Sequence, residues 1–306
     1  MMEFSQARAL LAVAELSSFK KAGERLHLSP PAIFAQVHQM ESELGEKLYE
    51  RKGRGLALTP AGRVLTDYCR RLVNMHDEAV DAIRVPGEAQ GGSLYVGCGP
   101  QISVTLVPYL LRSYMAQHPK VELRLRTGND DALLQDLRAN AVDVLMMNLP
   151  IDLQELTHDP LWRHELVFVV PPGDPAADRL TASELSTRPF ILCEPPTVIE
   201  SSIRRFFQSA GFEPLVVMQN DQAASVRELV KMGVGISLLP IWSVSEDASM
   251  GRLRIVRLAD KQLFSTMVLV YRGTTSPQPS LSSFVSIARD WRSWLPRPDD
   301  VIPFSE

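Results

Sequence analysis

Apolar side chains recur every three or four positions from the start of the chain. Phe4, Ala7, Leu10, Leu11 and Ala14 share one face of a helix. Ser18 stands where a hydroxyl caps a second, short helix running to about Leu26, and a third helix begins at Ser29. In the segment KLYERKGRGLALT, two short β-like runs flank a Lys-Gly-Arg-Gly turn, the pattern of a hairpin. Three helices and a hairpin predict a winged helix-turn-helix over residues 1–58. Thr59 and Pro60 then open a fourth helix, since the hydroxyl caps free N–H groups and proline in the first turn loses no hydrogen bond. Along it Leu65, Tyr68, Leu72, Met75, Ala79 and Ala82 repeat at spacings of three and four. Such a seam suits a partner helix, although a stripe this short also packs within its own domain. The run VPGEAQGG, residues 85–92, ends the helix as a hinge, so 59–92 reads as a linker.

Beyond the hinge the period changes. SLYVGC, VELRLRT, VDVLMMN and ELVFVVP read as strands, with helices from about Ser103 and Asp130 between them. A second series follows: FILC, a helix from about Glu200, LVVMQN, a helix from about Gln222, GISLLP, TMVLVYR and a last helix near SLSSFVSIARDWRSWL. Alternating strands and helices predict parallel α/β sheets. Two series with late returning strands predict a two-lobed domain over 93–306. Lobe I takes about 93–163 and 267–306, lobe II about 164–266, and a cleft separates them.

In the third helix, at about 100° per residue, Ile33, Val37, Met40 and Leu44 fall in one arc and form the expected core stripe. The opposite side carries Pro31, Ala32, Ala35, His38 and Gln39, with Phe34 on the flank. Ser29 is a suitable N-cap because a residue before proline avoids the α region, so Pro30 and Pro31 start the helix and do not break it. A helix entering the DNA major groove, about 12 Å wide, needs a slim leading end, which small residues and prolines provide.

Composition narrows the function classes. The 306 residues carry a net charge of −4 and a pI near 5.9, which excludes a coat of basic charge for sequence-blind binding and leaves room for a local basic patch. Cys69, Cys98 and Cys193 are far apart and form no CxxC pair, so neither a disulfide framework nor a metal site is expected, and Cys193, ending a strand, is expected to be structural. No basic leader precedes an apolar run at the N-terminus, and no run of about 18 apolar residues spans a membrane, which predicts a cytoplasmic protein. GxSxG, HExxH and Gly-rich phosphate loops are absent. No catalytic residue and no cofactor are therefore expected.

The segment SSFKKAGERLHLSPPAIFAQVHQMESELGEKLYERKGRGLALTPAGRVL resembles the DNA-binding domain of LysR-type transcriptional regulators. The resemblance rests on Ala22 and Gly23, Leu26, Ser29, Pro31 and Ala32, Glu41, Leu44 and Gly45, the LYER run ending in Arg51, and LTPAG. It continues through VELRLRTGNDDALLQDLRANAVDVLMM and LVKMGVGISLLP, which are similar to the family's two-lobed effector domain. The resemblance implies a homo-oligomer, a dimer of dimers, that binds double-stranded promoter DNA, responds to a small-molecule effector and meets RNA polymerase if it activates. It places Ser29, Pro30, Pro31, Ala32, Phe34, Ala35 and His38 toward the major groove. Lys20, Lys21, Arg51, Lys52 and Arg54 would hold phosphates, each with a solvated surface charge as the alternative. Where the family commonly carries polar residues, Pro30, Phe34 and Ala35 are apolar, so contact with thymine methyl groups and DNA shape are expected to carry base recognition. Gly99, Gln101, Ile102, Ser103, Thr127, Asn148, Thr197 and Gly233 are the implied effector contacts. A solute receptor for transport and an enzyme using the cleft are the competing classes.

Overall fold

The computed structural model describes residues 3–52, 55–82, 93–193, 198–220, 223–273 and 279–303. The chain divides near residue 90 into two compact units. The first holds helices α1 (Phe4–Leu16), α2 (Phe19–Leu26) and α3 (Pro30–Leu44), the hairpin strands β1 (Tyr49–Lys52) and β2 (Gly55–Leu58), and the long helix α4 (Pro60–Ala82). Its core is Ala7, Leu10, Val13, Ala22, Ile33, Val37, Met40 and Leu48, with Cys69 from α4. The turn between α2 and α3 is closed by a near contact: a Cβ on Gly23 would stand 2.5 Å from the Leu28 carbonyl oxygen. His27 takes a left-handed conformation there, φ 55°. Ser29 caps α3, its hydroxyl accepting from Ala32 N–H at 3.3 Å.

Two expectations change. Leu44 is exposed while Glu41 is buried. α3 ends at Gly45, φ 70°, so Leu44 occupies the last turn. Glu41 turns inward because its carboxylate accepts the Leu48 N–H at 2.9 Å, tying α3 to the hairpin. In α4, Leu65 and Val73 pack on the unit's own core, so the seam divides: Val64, Tyr68, Leu72 and Met75 form the exposed stripe. The side chains of Ala79 and Ala82 lie outside the described residues, as does the hinge at 85–92.

The second unit begins with β3 (Ser93–Cys98), α5 (Pro100–Thr105), α6 (Val107–Gln117), β4 (Glu122–Thr127), α7 (Asp130–Arg138), β5 (Val144–Leu149) and the long β6 (Thr157–Val170). The helix expected from about Ser103 starts earlier and breaks in two, because Pro108 lacks the N–H that would bond Val104. Next come β7 (Arg179–Leu180), α8 (Ala182–Ser186), β8 (Pro189–Cys193), α9 (Val198–Ala210), β9 (Leu215–Asn220), α10 (Ala223–Lys231) and β10 (Ser237–Pro240). A 3-10 turn at Ile241–Ser243 leads to α11 (Ser245–Ser249), β11 (Arg254–Leu258), β12 (Leu263–Tyr271), α12 (Pro279–Arg289), α13 (Trp291–Trp294) and β13 (Val301–Pro303).

β3, β4 and β5 are parallel, as the alternating pattern predicts. The rest is not two separate parallel sheets. One path runs β4-β3-β5-β12-β6-β11-β7, with β10 and β13 also on β6, while β8 and β9 form a parallel pair of their own. β6 and β12 are antiparallel and serve both halves. The expected lobe boundaries at 163 and 267 fall inside these two strands. One half buries Leu94, Val96, Leu110, Trp162 and Phe284; the other buries Phe168, Phe190, Phe207 and Leu238. Trp242 comes from the turn after β10 yet joins the first of these cores.

Candidate nucleic-acid interface and ligand cleft

The leading end of α3 is exposed at Ser29, Pro30, Pro31, Phe34, Ala35 and His38, with Ala32 half-buried. Phe34 does not project freely. Its ring meets Phe19 edge-on at 5.5 Å and stacks on His38 at 5.6 Å, and Phe19 meets Tyr49 of the hairpin at 4.9 Å. A ladder of rings thus stiffens the contact between α2, α3 and β1 while leaving Phe34 an open face. His38 is partly committed: its Nδ1 lies 3.2 Å from Glu41. Glu41 also accepts from Lys47 Nζ at 2.8 Å. Burial pushes the Glu41 carboxyl up, but the hydrogen bonds from Lys47, Leu48 and His38 outweigh it and hold the group below its ordinary value. Sequence reading missed Glu41 as the positioning residue, because its role depends on Leu48 N–H, which only the fold brings near.

Lys20, Lys21 and Arg51 are exposed and have no ion-pair partner among the described residues. Arg54 and the Lys52 side chain lie outside those residues. Gln39, left out of the expected set, is exposed on the same face and donates to Glu43 at 3.1 Å. Its place opposite the core stripe was the available signal.

In the second unit, three parallel strands end side by side. Cys98 pairs with Thr127 and with Met146, so the turns after β3 and β4 and the end of β5 share one carboxyl edge, where Gly99, Thr127 and Asn148 stand. Turns at such an edge are where open α/β sheets receive ligands. Gly99 precedes α5, and nothing lies within 4 Å of where its Cβ would be. Ser103 Oγ donates to the Pro100 carbonyl at 2.7 Å, and Gln101 Nε2 donates to Thr105 Oγ1 at 3.3 Å. Thr127 is exposed. The Asn148 amide oxygen is buried and has no hydrogen-bond partner among the described residues. Ile102 differs from the rest: its side chain belongs to the core beside Leu106, since a helix on a sheet must bury one face. Gly233 also departs from expectation. It is exposed with φ 80° and donates to Val230 at 3.0 Å, the geometry of a helix stop after α10. Thr197 and the Cys193 side chain lie outside the described residues. Cys98 and Cys69 are buried, and burial pushes their thiols up to about 12 and about 11, which makes them inert. Among the described residues no helix is long and apolar enough to cross a membrane.

A winged helix-turn-helix and a ligand-sensing α/β domain in one chain define a ligand-controlled DNA-binding regulator. Known proteins of the same build narrow that class to a family. A family model described as "Bacterial regulatory helix-turn-helix protein, lysR family" matches residues 4–63, and one described as "LysR substrate binding domain" matches residues 87–293. The chain belongs to the LysR family of transcriptional regulators. It is 28% identical over 281 residues to the RuBisCO operon transcriptional regulator of Allochromatium vinosum, covering 91% of this chain and 93% of that one. It is 30% identical over 256 residues to the regulator CfxR of Cupriavidus necator, covering 83% and 80%. In fold it is similar to a full-length OxyR variant from Pseudomonas aeruginosa, with a TM-score of 0.73 at 19% identity over 100% and 99% of the two chains. It is also similar to CbnR complexed with its target DNA, with a TM-score of 0.67 at 23% identity over 94% and 99%.

Proposed function

We propose that residues 1–58 read promoter DNA through the leading end of α3, while Lys20, Lys21, Arg51, Lys52 and Arg54 hold the backbone. Residues 93–306 receive the effector at the shared carboxyl edge. The exposed, slim, apolar end of α3 carries this reading. Pro31, Phe34 and Ala35 offer no hydrogen bonds to base edges, so recognition rests on thymine methyls and on shape. The test uses operators in which thymine is replaced by uracil, titrated in gel shifts at several salt concentrations. The expected loss is about 1 kcal/mol for each methyl contact removed, with an unchanged salt slope. Lys20→Ala should instead flatten the salt dependence. Equal binding of uracil and thymine operators, together with unaltered binding by Phe34→Ser, overturns the base-reading role.

At the effector edge the carrying observation is Asn148, whose buried amide oxygen needs a donor. A ligand presenting N–H or O–H groups there and to the Ser103 oxygen, whose own hydrogen goes to Pro100, and an acceptor toward the second N–H of Gln101, satisfies the set. The chain acts without catalysis and in the cytoplasm. The exposed stripe of α4 pairs two copies, pairs assemble further on the promoter, and RNA polymerase is the partner where regulation is positive.

A further inference from the structure

The effector edge carries a carboxylate that has no counter-charge among the described residues. Asp130 opens α7, directly after the turn that follows β4. It is not the helix cap, because Asn129 fills that role, its Oδ1 accepting from Ala132 N–H at 2.8 Å. Nor is it half of an ion pair: no hydrogen bond or cation meets its carboxyl among the described residues. The two arginines of β4 are engaged elsewhere, Arg124 with Glu122 at 3.0 Å and Arg126 with Asp136. An acid in the first turn of a helix is ordinarily favoured by the dipole. Here burial and Asp131 outweigh that gain and push the carboxyl up to about 6, so near neutral pH it is largely an anion held where an anion is disfavoured.

Packing places open space beside it. Gly97 of β3 faces α7: a Cβ there would stand 3.1 Å from Leu133 and 2.5 Å from Leu145. Gly99 lies two residues further along, still extended and so on the same side of the chain, and nothing lies within 4 Å of where its Cβ would be. Asp130 is three residues before Leu133, one turn nearer the helix start and on the same face of α7. Leu133 thus covers Gly97, and Asp130 stands at the uncovered Gly99. The other face of the edge offers acceptors. Met147 packs with Leu133 and Leu134 of α7, so Asn148, the next residue of β5, turns to the opposite face, toward α5. Its buried amide oxygen has no hydrogen-bond partner among the described residues. On α5, Ser103 Oγ gives its hydrogen to the Pro100 carbonyl and is left to accept.

We propose that the effector is a small molecule bearing a protonated amine, seated with its ammonium over Gly99 against Asp130 and its other polar groups toward Asn148, Ser103 and Gln101. This rests on the reading of the shared carboxyl edge as the effector site. An anionic group in the same place would bring like charge to Asp130, which neither arginine of β4 is free to offset.

The experiment is calorimetric titration of the full chain at neutral pH and constant ionic strength with matched probes: butylammonium against butyrate, benzylammonium against benzoate, and putrescine against succinate. At least one ammonium probe should bind saturably, one per chain, and roughly tenfold or more tightly than its carboxylate match. Asp130→Asn, which keeps the shape and drops the charge, should remove that preference. Gly99→Val, which fills the open space at a φ of −64° that any residue adopts, should abolish binding. Ammonium binding undiminished in Asp130→Asn, or no binding by any ammonium probe, overturns the proposal. A carboxylate probe that binds more tightly than its match and is blocked by Gly99→Val overturns the charge assignment while leaving the edge as the effector site. Binding that Gly99→Val leaves unchanged removes the edge itself. Should Asp130→Asn fail to fold, Asp130→Ser decides the same question.

Discussion

Asp130, at the start of α7 beside the turn that follows β4, shows how a single side chain sets a pH dependence. Burial, with help from neighbouring Asp131, pushes its carboxyl up to about 6 from an ordinary 3.8. The folded chain therefore holds a proton that the unfolded chain releases, and stability falls as pH rises from about 4 through about 6. Asp130→Asn should remove that slope and raise stability at pH 7.5 by ~1–2 kcal/mol, read from denaturant melts at pH 4.5 and 7.5. An unchanged slope would show that the carboxyl is solvated. At the same scale, Ser29 and the prolines after it were legible in the sequence because a helix cap is a local bargain between a hydroxyl and an N–H three residues on. Glu41 was not. Its inward turn answers Leu48 N–H, and periodicity alone gave that arc to Leu44.

At the scale of elements, α4 carries two faces with different destinations. Cys69, Leu65 and Val73 close the core of the first unit, while Val64, Tyr68, Leu72 and Met75 stay exposed along one stripe. The stripe is narrow and regular, which suits a second copy of the helix. Leu72→Glu should leave the fold intact, since Leu72 is 44% exposed. It should halve the mass seen by light scattering and reduce DNA affinity at least tenfold through the lost pairing. Unchanged mass and affinity would remove the stripe from the assembly. The sequence showed the seam but not its division. Residues 64 and 65 differ by about 100° around the helix, and only the position of the α1–α3 core decides which is covered.

Over the whole second unit, the parallel ladders of β3, β4 and β5 were readable from alternation, whereas the sharing of β6 and β12 between both halves was not. Those strands pair across long stretches of chain, and a hydrophobic run does not name its partner. The cavity of about 400 Å³ walled by Thr105, Arg227, Trp242 and Arg252 was invisible for the same reason: these residues carry no common motif, and only the folding of α5 against α10 collects them. His164, on β6 opposite Ser265, sits in the shared region with both ring nitrogens unpartnered among the described residues and its ring 5.8 Å from Trp242. Burial lowers its pKa from 6.5 to about 3. The folded ring stays neutral where the unfolded one gains a proton, so the stability is whole above about pH 6.5 and is lost as pH falls toward 3. The slope is about 1.4 kcal/mol per pH unit. His164→Phe should flatten the loss between pH 6.5 and 4.5 in urea melts, and a wild-type slope in that variant would assign the acid sensitivity to other groups.

The base of the hairpin is joined to the start of α4 with no slack. A Cβ on Gly62 would stand 1.8 Å from the Leu48 carbonyl oxygen, and that same carbonyl accepts the Thr59 N–H at 3.1 Å. Hairpin and helix therefore move as one crank. A 23-residue helix is a lever of about 35 Å. Rolling its far end through a small angle swings the hairpin through the same angle, with no rearrangement inside the first unit.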